Sequence, residues 1–327
     1  MPTRYLTLIL WIAHGFAGIS FAVDVGKYDT FETNVMNYNS YSNPFQNVTL
    51  NATFTSPSSQ NTSIRGFYDG NNTWRVRFMP DQLGTWTYTC TFSDGAPGKS
   101  GSFSCVASNL HGPLKTDTAT PVWFEHADGT PFFMRAFHLW RPETFTEPVL
   151  EQTLDFMKAN GLNVVDGPHL ANWGTGLNQI PWEGSDYTNY KLSVWRQLDV
   201  YVRKCAERGI VVFPFSILGG TNGIPKMSTW DQRQRFIRYW VARWGGYWNV
   251  AYCPVSEYAE AYSTAEGMQI LNEIYNSDGG RHPVSIHPGN TLAEPATEIK
   301  TMTAYTYHTV QDKLDDWNPG RYQQLIT

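Results

Sequence analysis

Residues 248–258 read WNVAYCPVSEY, an apolar segment that ends in a single carboxylate, Glu257. A short apolar run of this kind is typical of a strand buried on both faces of a parallel sheet. Catalytic groups of a (β/α) barrel stand at the C-terminal ends of its strands, so this strand would deliver Glu257 to a pocket. A carboxylate is also favoured at a helix N-terminus. On residue type alone, Glu257 therefore either serves a pocket or opens the next helix.

The chain from residue 131 to residue 327 alternates between strand and helix patterns, and this alternation indicates a parallel sheet. The predicted strands are 132–137, 162–165, 210–215, 250–255, 283–287 and 302–305, and the predicted helices are 149–160, 195–208, 229–244 and 265–275. No GxGxxG, GxxxxGK, HExxH or GxSxG pattern occurs, so dinucleotide-binding, P-loop, zincin and serine-hydrolase functions lack support.

Polar and aromatic residues follow five of these strands. A sugar site needs such groups at one rim: aromatic faces for stacking, His and Asp for hydroxyls, and an acid that protonates the glycosidic oxygen. Each residue alone is more often structural, and only their repetition favours a pocket. Besides Glu257, the candidates are His138, Trp140, Asp166, His169, Trp173, Tyr258, His287, Tyr307 and His308.

The preceding part of the chain, residues 23–110, consists of short alternating segments at 48–54, 74–78 and 86–92. Turn residues such as Asp69-Gly70 separate them, and the pattern is typical of a β-sandwich. Residues 111–130 are polar and punctuated by Pro and Gly, and form the predicted connector.

Four cysteines are present, and two of them flank a Gly-rich turn. Antiparallel pairing would bring Cys90 and Cys105 face to face, so we expect a disulfide in an oxidising compartment. Cys205 and Cys253 lie in apolar patterns and are expected to pack as small apolar groups. No His, Cys and carboxylate spacing matches a ligand set, so we expect neither metal nor cofactor.

Residues 1–22 carry Arg4, an apolar run at 6–13 and small residues up to Ala22, the plan of a secretory signal peptide. We therefore expect a secreted protein, extracellular or periplasmic, with no membrane segment after cleavage. Its net charge of −5 without a basic stripe argues against nucleic acid as a partner. Four possible glycosylation sequons lie close together, at Asn47, Asn51, Asn61 and Asn71.

Several motifs are similar to two known modules. NPFQNVTLNATFTSPS, GFYDGNNTWRVRFMPDQLGTWTYTCTFSD and GSFSC resemble the immunoglobulin-like domain of unknown function that precedes many glycoside hydrolases. DGTPFFMRAFHLW, AERGIVVFPF, RYWVARWGGYWNVAYCPVSEY, RHPVSIHP and YTYHT resemble the apiosidase-like, collagenase-related glycoside hydrolase barrel family. The resemblance covers nearly everything after residue 22.

This resemblance implies a retaining glycosidase with a TIM-type barrel, an acid/base after strand four and a nucleophile after strand seven. Glu257 matches the acid/base, and His287 and His308 match rim positions expected to touch sugar. The family's usual Asn before the acid/base is replaced by Ser256, which can still hydrogen-bond to substrate. Only six strands are predicted, whereas a closed barrel has eight. We therefore expect an apparently truncated barrel without an identifiable nucleophile.

The sequence thus predicts a two-domain, secreted glycoside hydrolase-like protein that acts on a polysaccharide or oligosaccharide with Glu257 as acid/base. The alternative is a carbohydrate-binding protein without turnover, using the same aromatic rim. A single carboxylate could protonate a leaving group but could not form the glycosyl intermediate of a retaining mechanism.

Overall fold

The computed structural model describes residues 23–116, 123–139, 142–168, 181–184, 187–214, 217–218, 227–255 and 258–286. The predicted signal peptide and the sixth predicted strand, 302–305, lie outside these residues. The domain boundaries predicted at residues 110 and 131 are not tested by the structure and stay predictions.

The N-terminal domain is built from strands whose side chains alternate between buried and exposed positions, as in Phe31–Met36. They form a five-stranded sheet in the order β1-β8-β7-β3-β4 and a three-stranded sheet in the order β2-β6-β5. Only β1 and β8 pair in parallel within these two sheets. The strands are β1 (Val23–Gly26), β2 (Phe31–Met36), β3 (Leu50–Thr55), β4 (Asn61–Arg65), β5 (Phe67–Tyr68), β6 (Thr73–Phe78), β7 (Gly84–Phe92) and β8 (Lys99–Val106).

Aromatic pairs join the two sheets face to face. Phe54 of β3 stacks on Phe78 of β6 with ring centroids 4.0 Å apart, and Phe31 of β2 stacks on Phe103 of β8 at 4.2 Å. Large aromatic side chains bury much apolar area, and this burial is the main stabilising contribution to such a core. The domain therefore has a hydrophobic core of its own.

The predicted disulfide between Cys90 and Cys105 is wrong in this structure, because both cysteines are free and buried. The β7–β8 register places Cys90 opposite Lys99 and Cys105 opposite Gly84. At about 3.3 Å per residue, Lys99 and Cys105 are about 20 Å apart along β8, whereas bridged Cα atoms are only about 4.4–6.8 Å apart. Burial raises the pKa of the Cys90 thiol to about 11, so it packs as a small apolar group.

A small antiparallel sheet occupies part of the segment predicted as a connector. Its strands, in the order β11-β10-β9, are β9 (Leu114–Thr116), β10 (Phe124–His126) and β11 (Pro131–Phe132). Leu114 and Phe132 are buried in one cluster with Trp248 and with apolar residues of the C-terminal sheet. The small sheet thus covers one face of that sheet.

The C-terminal domain contains a parallel sheet in which β12, β13 and β16 lie side by side. Isolated parallel bridges from Val212 to Val250 and from Tyr252 to Val284 continue it. The first five predicted strands are therefore neighbours in chain order. The first of them is reduced to Ala136–Phe137, because Phe132 pairs in the small antiparallel sheet. The new strands are β12 (Ala136–Phe137), β13 (Val164–Asp166), β14 (Trp182–Glu183), β15 (Asn189–Tyr190) and β16 (Val211–Phe213); β14 and β15 form a separate hairpin.

Helices follow these strands at the predicted places. Side chains cap two of them: Thr229 with Gln232, and Ser263 with Glu266, form capping boxes that satisfy free N–H groups. The helices are α1 (Glu147–Ala159), α2 (Leu192–Ala206), α3 (Trp230–Trp244), α4 (Tyr258–Ala261) and α5 (Thr264–Asp278), with a 3₁₀ turn at Pro142–Thr144. Val212 and Tyr252 pack with the helices, whereas Val211 faces the opposite core, so the sheet is buried on both sides.

A buried ion cluster joins the two domains. Asp199 of α2 accepts hydrogen bonds from Arg243 of α3 and, at 2.9 Å, from Arg77 of β6. Arg243 also donates to Asp69, which follows β5, at 3.0 Å. The Arg243 side chain is 0% exposed and that of Asp69 5% exposed. Burial alone would raise the pKa of Asp199, but Arg77 and Arg243 together hold that pKa below its ordinary value.

We expect Asp199→Asn to destabilise the protein by about 3–5 kcal/mol, because two buried guanidinium groups lose their shared counter-charge. Urea unfolding measures the loss. Since the pKa of Asp199 is lowered in the folded state, its stabilising effect is present above the ordinary carboxyl pKa and is lost as the pH falls through the lowered value.

The matched control is Asp155→Asn on α1, because Asp155 pairs with Arg208 while its side chain is 64% exposed. Surface pairs contribute little, so this change should hardly move the unfolding midpoint. Equal effects of the two substitutions would contradict the structural role given to Asp199.

Candidate functional site

Two predicted site residues meet where the first two parallel strands end. His138 directly follows β12, and Asp166 is the last residue of β13. The His138 Nδ1 atom lies 2.6 Å from the Asp166 Oδ2 atom. Because a carboxylate only accepts hydrogen bonds, Nδ1 is the donor. Their side chains are 48% and 22% exposed, so the pair lies at an accessible edge of the sheet.

The hydrogen bond with Asp166 affects the pKa of His138. The Asp166 side chain raises the pKa of His138, and this effect outweighs the opposing effect of partial burial. The second carboxylate oxygen, Asp166 Oδ1, is buried and has no hydrogen-bond partner among the described residues. An unsatisfied acceptor costs about 1–3 kcal/mol, which a hydroxyl donor would offset. The pair therefore combines an imidazole whose pKa is raised with a partly exposed carboxylate, and both groups can hydrogen-bond to a polar ligand.

The loops that carry the pair are packed closely at Gly167. A Cβ atom built on Gly167 would lie 2.2 Å from the carbonyl oxygen of Leu139, so only glycine allows this approach. The Gly167 amide donates to the carbonyl oxygen of Phe213 at 2.9 Å. Consequently the segments after β12, β13 and β16 form one continuous rim.

Two buried tyrosines, one on α2 and one between α4 and α5, hold parts of this rim from behind. The Tyr201 hydroxyl of α2 donates to the carbonyl oxygen of Gly167 at 3.3 Å. The Tyr262 hydroxyl donates to that of Leu218 at 2.6 Å. Sequence reasoning missed both, because a tyrosine in or beside a helical pattern looks like an ordinary core residue. Hydrophobic periodicity reports which face is buried and does not report a hydroxyl's partner.

Of the remaining predicted site residues, the structure describes one, Tyr258. Tyr258 begins α4, is 5% exposed and packs in the core between sheet and helices. Since α4 begins directly after Glu257 in the sequence, both interpretations of Glu257 stay open. Eight predicted residues lie outside the described residues: Trp140, His169, Trp173, Ser256, Glu257, His287, Tyr307 and His308.

Within the part of the chain that the structure describes, no three His, Cys, Asp or Glu residues are grouped so as to hold a metal ion. None of the described helices is both long enough and apolar enough to cross a bilayer.

We expect Asp166→Asn to lower the pKa of His138, because the amide removes the negative charge that favours the imidazolium. NMR titration of the His138 ring protons measures the change. Asp128→Asn is the matched control, since Asp128 accepts a hydrogen bond from another histidine, His111, at 2.7 Å. A His138 titration unchanged by Asp166→Asn would show that the pair does not form.

The fold of this chain is similar to that of a solved bacterial protein. A Bacteroides vulgatus protein provisionally named a glycoside hydrolase has a TM-score of 0.69 and 23% identity, covering 81% of this chain and 56% of its own. An endo-1,4-beta-mannanase from Rhizomucor miehei has a TM-score of 0.44 and 16% identity, covering 63% of this chain and 72% of its own. This chain thus spans little more than half the length of the first protein. No curated protein matches the sequence.

Family profiles match both parts of the chain. Residues 24–93 match a domain of unknown function, DUF5060, which covers most of the N-terminal sheets. Residues 120–324 match the apiosidase-like catalytic domain, and this range includes His138, Asp166 and Glu257. Because the second match extends over more than half of the sequence, the chain belongs to the apiosidase-like catalytic-domain family.

Proposed function

We propose that this protein is a secreted glycosidase that cleaves a polysaccharide or oligosaccharide with retention of configuration. The observation that carries the proposal is the His138–Asp166 hydrogen bond at the ends of two adjacent parallel strands. Active sites of barrel enzymes lie at that end of the strands. Membership of the apiosidase-like family supports the same reaction class.

In this proposal, each named residue has a separate task. The Asp166 carboxylate, which is 22% exposed, accepts a hydrogen bond from a sugar hydroxyl. The His138 imidazole, whose pKa is raised by its hydrogen bond with Asp166, lies beside it. Glu257 protonates the glycosidic oxygen and later removes a proton from water, as the acid/base of a retaining enzyme does. The nucleophile would be a second carboxylate about 5–5.5 Å from Glu257.

The structure describes five parallel strands, and we propose a more specific architecture for each domain. We infer that the C-terminal domain forms a TIM-type barrel and that the N-terminal sheets form an immunoglobulin-like sandwich. The alternating βα order and the two facing antiparallel sheets support these assignments. We also infer secretion, supported by the signal-peptide pattern of residues 1–22.

A second function is favoured by one observation: α4 begins directly after Glu257. If Glu257 serves only the helix N-terminus, the protein binds carbohydrate at the same rim without cleaving it. The two functions differ in whether reducing ends appear when purified protein is incubated with polysaccharides.

We expect Glu257→Gln to lower hydrolysis of a natural glycan by about 10²–10⁴-fold while glycan affinity stays within a few fold, because the amide keeps the shape and lacks the transferable proton. Reducing-end release and calorimetry measure the two effects. Activated aryl glycosides should be affected less, because their leaving groups need little protonation.

Glu183→Gln is the matched control, since Glu183 is exposed on β14. It should leave turnover unchanged. Equal turnover of natural glycan by wild-type and Glu257→Gln protein would eliminate the acid/base role of Glu257.

A further inference from the structure

A basic cleft lies where the N-terminal sheets contact the C-terminal helices. Nine described residues line it; four of them are arginines and none is acidic. The arginines come from both domains: Arg65 from β4, Arg77 from β6, Arg238 from α3, and Arg281 from the segment after α5. Ser277 of α5 adds a hydroxyl group.

Nearby carboxylates form ion pairs with two of these four arginines. Arg77 pairs with Asp199 at 2.9 Å and with Glu32 at 2.6 Å. Arg238 Nε donates to Glu273 Oε1 at 2.5 Å, and the same oxygen accepts a hydrogen bond from Ser277 at 3.2 Å.

The other two cations are poorly compensated. Arg281 donates through Nε to the carbonyl oxygen of Asp278 at 2.7 Å, and its Nη2 atom is 3.9 Å from Asp278 Oδ1. Its Nη1 atom is buried and has no hydrogen-bond partner in the described residues. The carboxylate that acts electrostatically on Arg65 is that of Glu273, which is ion-paired with Arg238 at 2.5 Å. Partial burial lowers the pKa of Arg65, the positive charge of Arg238 lowers it further, and Glu273 opposes this.

The size of the cleft restricts what can bind. Its empty space is about 270 Å³, counting the mouth that opens to solvent, and its enclosed part has room for about one water-sized sphere. One oxygen of a tetrahedral anion would fill the enclosed part while the other oxygens lie in the mouth. Guanidinium groups match such oxygens in geometry as well as in charge.

We propose that this cleft binds one inorganic tetrahedral oxyanion, phosphate or sulfate, between Arg65 and Arg281. A rotation of the Arg281 side chain would bring its unpartnered Nη1 atom to the anion, which would neutralise positive charge at the contact between the domains. Arg65 belongs to β4, and Arg281 lies beyond α5, so the anion links the N-terminal sheet to the C-terminal helices. Anions should therefore stabilise the joined domains.

The test is calorimetric titration of the full chain with phosphate and, separately, with sulfate, at constant ionic strength. Wild-type protein should bind one anion saturably. Arg65→Gln should weaken binding at least tenfold, and because Arg65 is exposed this change should not impair folding. Arg281→Gln should have at least the same effect. Arg203→Gln is the matched control, since the Arg203 side chain is 53% exposed on α2 and its ion pair is with Glu207.

Thermal unfolding supplies an independent measurement. Saturable stabilisation by phosphate or sulfate that disappears in Arg65→Gln and persists in Arg203→Gln would support the site. A rise that grows linearly with salt and is equal in all variants reflects general exclusion of the anion from protein surface, and would overturn the proposal. Absence of saturable binding by both anions in wild-type protein would overturn it as well.

Discussion

The carboxylate of Asp199 connects the two domains through Arg77 and Arg243. Each of these groups is costly to remove from water, and the cost is offset only when all of them are paired. Arg77 comes from the N-terminal sheets, whereas Asp199 and Arg243 come from neighbouring helices of the C-terminal domain. The cluster therefore fixes how the domains are oriented: a displacement that separates β6 from α2 and α3 would leave a buried charge without a partner.

The same helices support the candidate site. One face of α2 carries Asp199 towards the N-terminal domain, and Tyr201, two residues on, donates its hydroxyl to Gly167 behind the rim. Val212 and Tyr252 of the sheet pack against these helices. The junction of the domains and the His138–Asp166 pair thus lie on opposite sides of one packed layer. This arrangement gives the N-terminal domain a physical role, since it braces the helices that support the rim.

Sequence patterns predicted the positions of the first five parallel strands, because apolar runs and helix periodicity report burial directly. They also brought His138 and Asp166 together, since parallel strands end at one edge. They did not predict the partners of polar side chains. Asp69 was interpreted as a turn residue, and its ion pair with Arg243 across the domain contact was missed. The Cys90–Cys105 prediction failed because strand register depends on the turn between the strands, which cysteine spacing does not specify.

The proposed reaction has a stereochemical consequence that depends directly on its mechanism. A nucleophilic carboxylate and an acid/base together give two inversions at the anomeric carbon, so the configuration is retained. Proton NMR of a cleaved glycan, recorded before the product equilibrates, distinguishes the two anomers. The account predicts that the first sugar released has the anomeric configuration of the substrate. Initial appearance of the opposite anomer would contradict it.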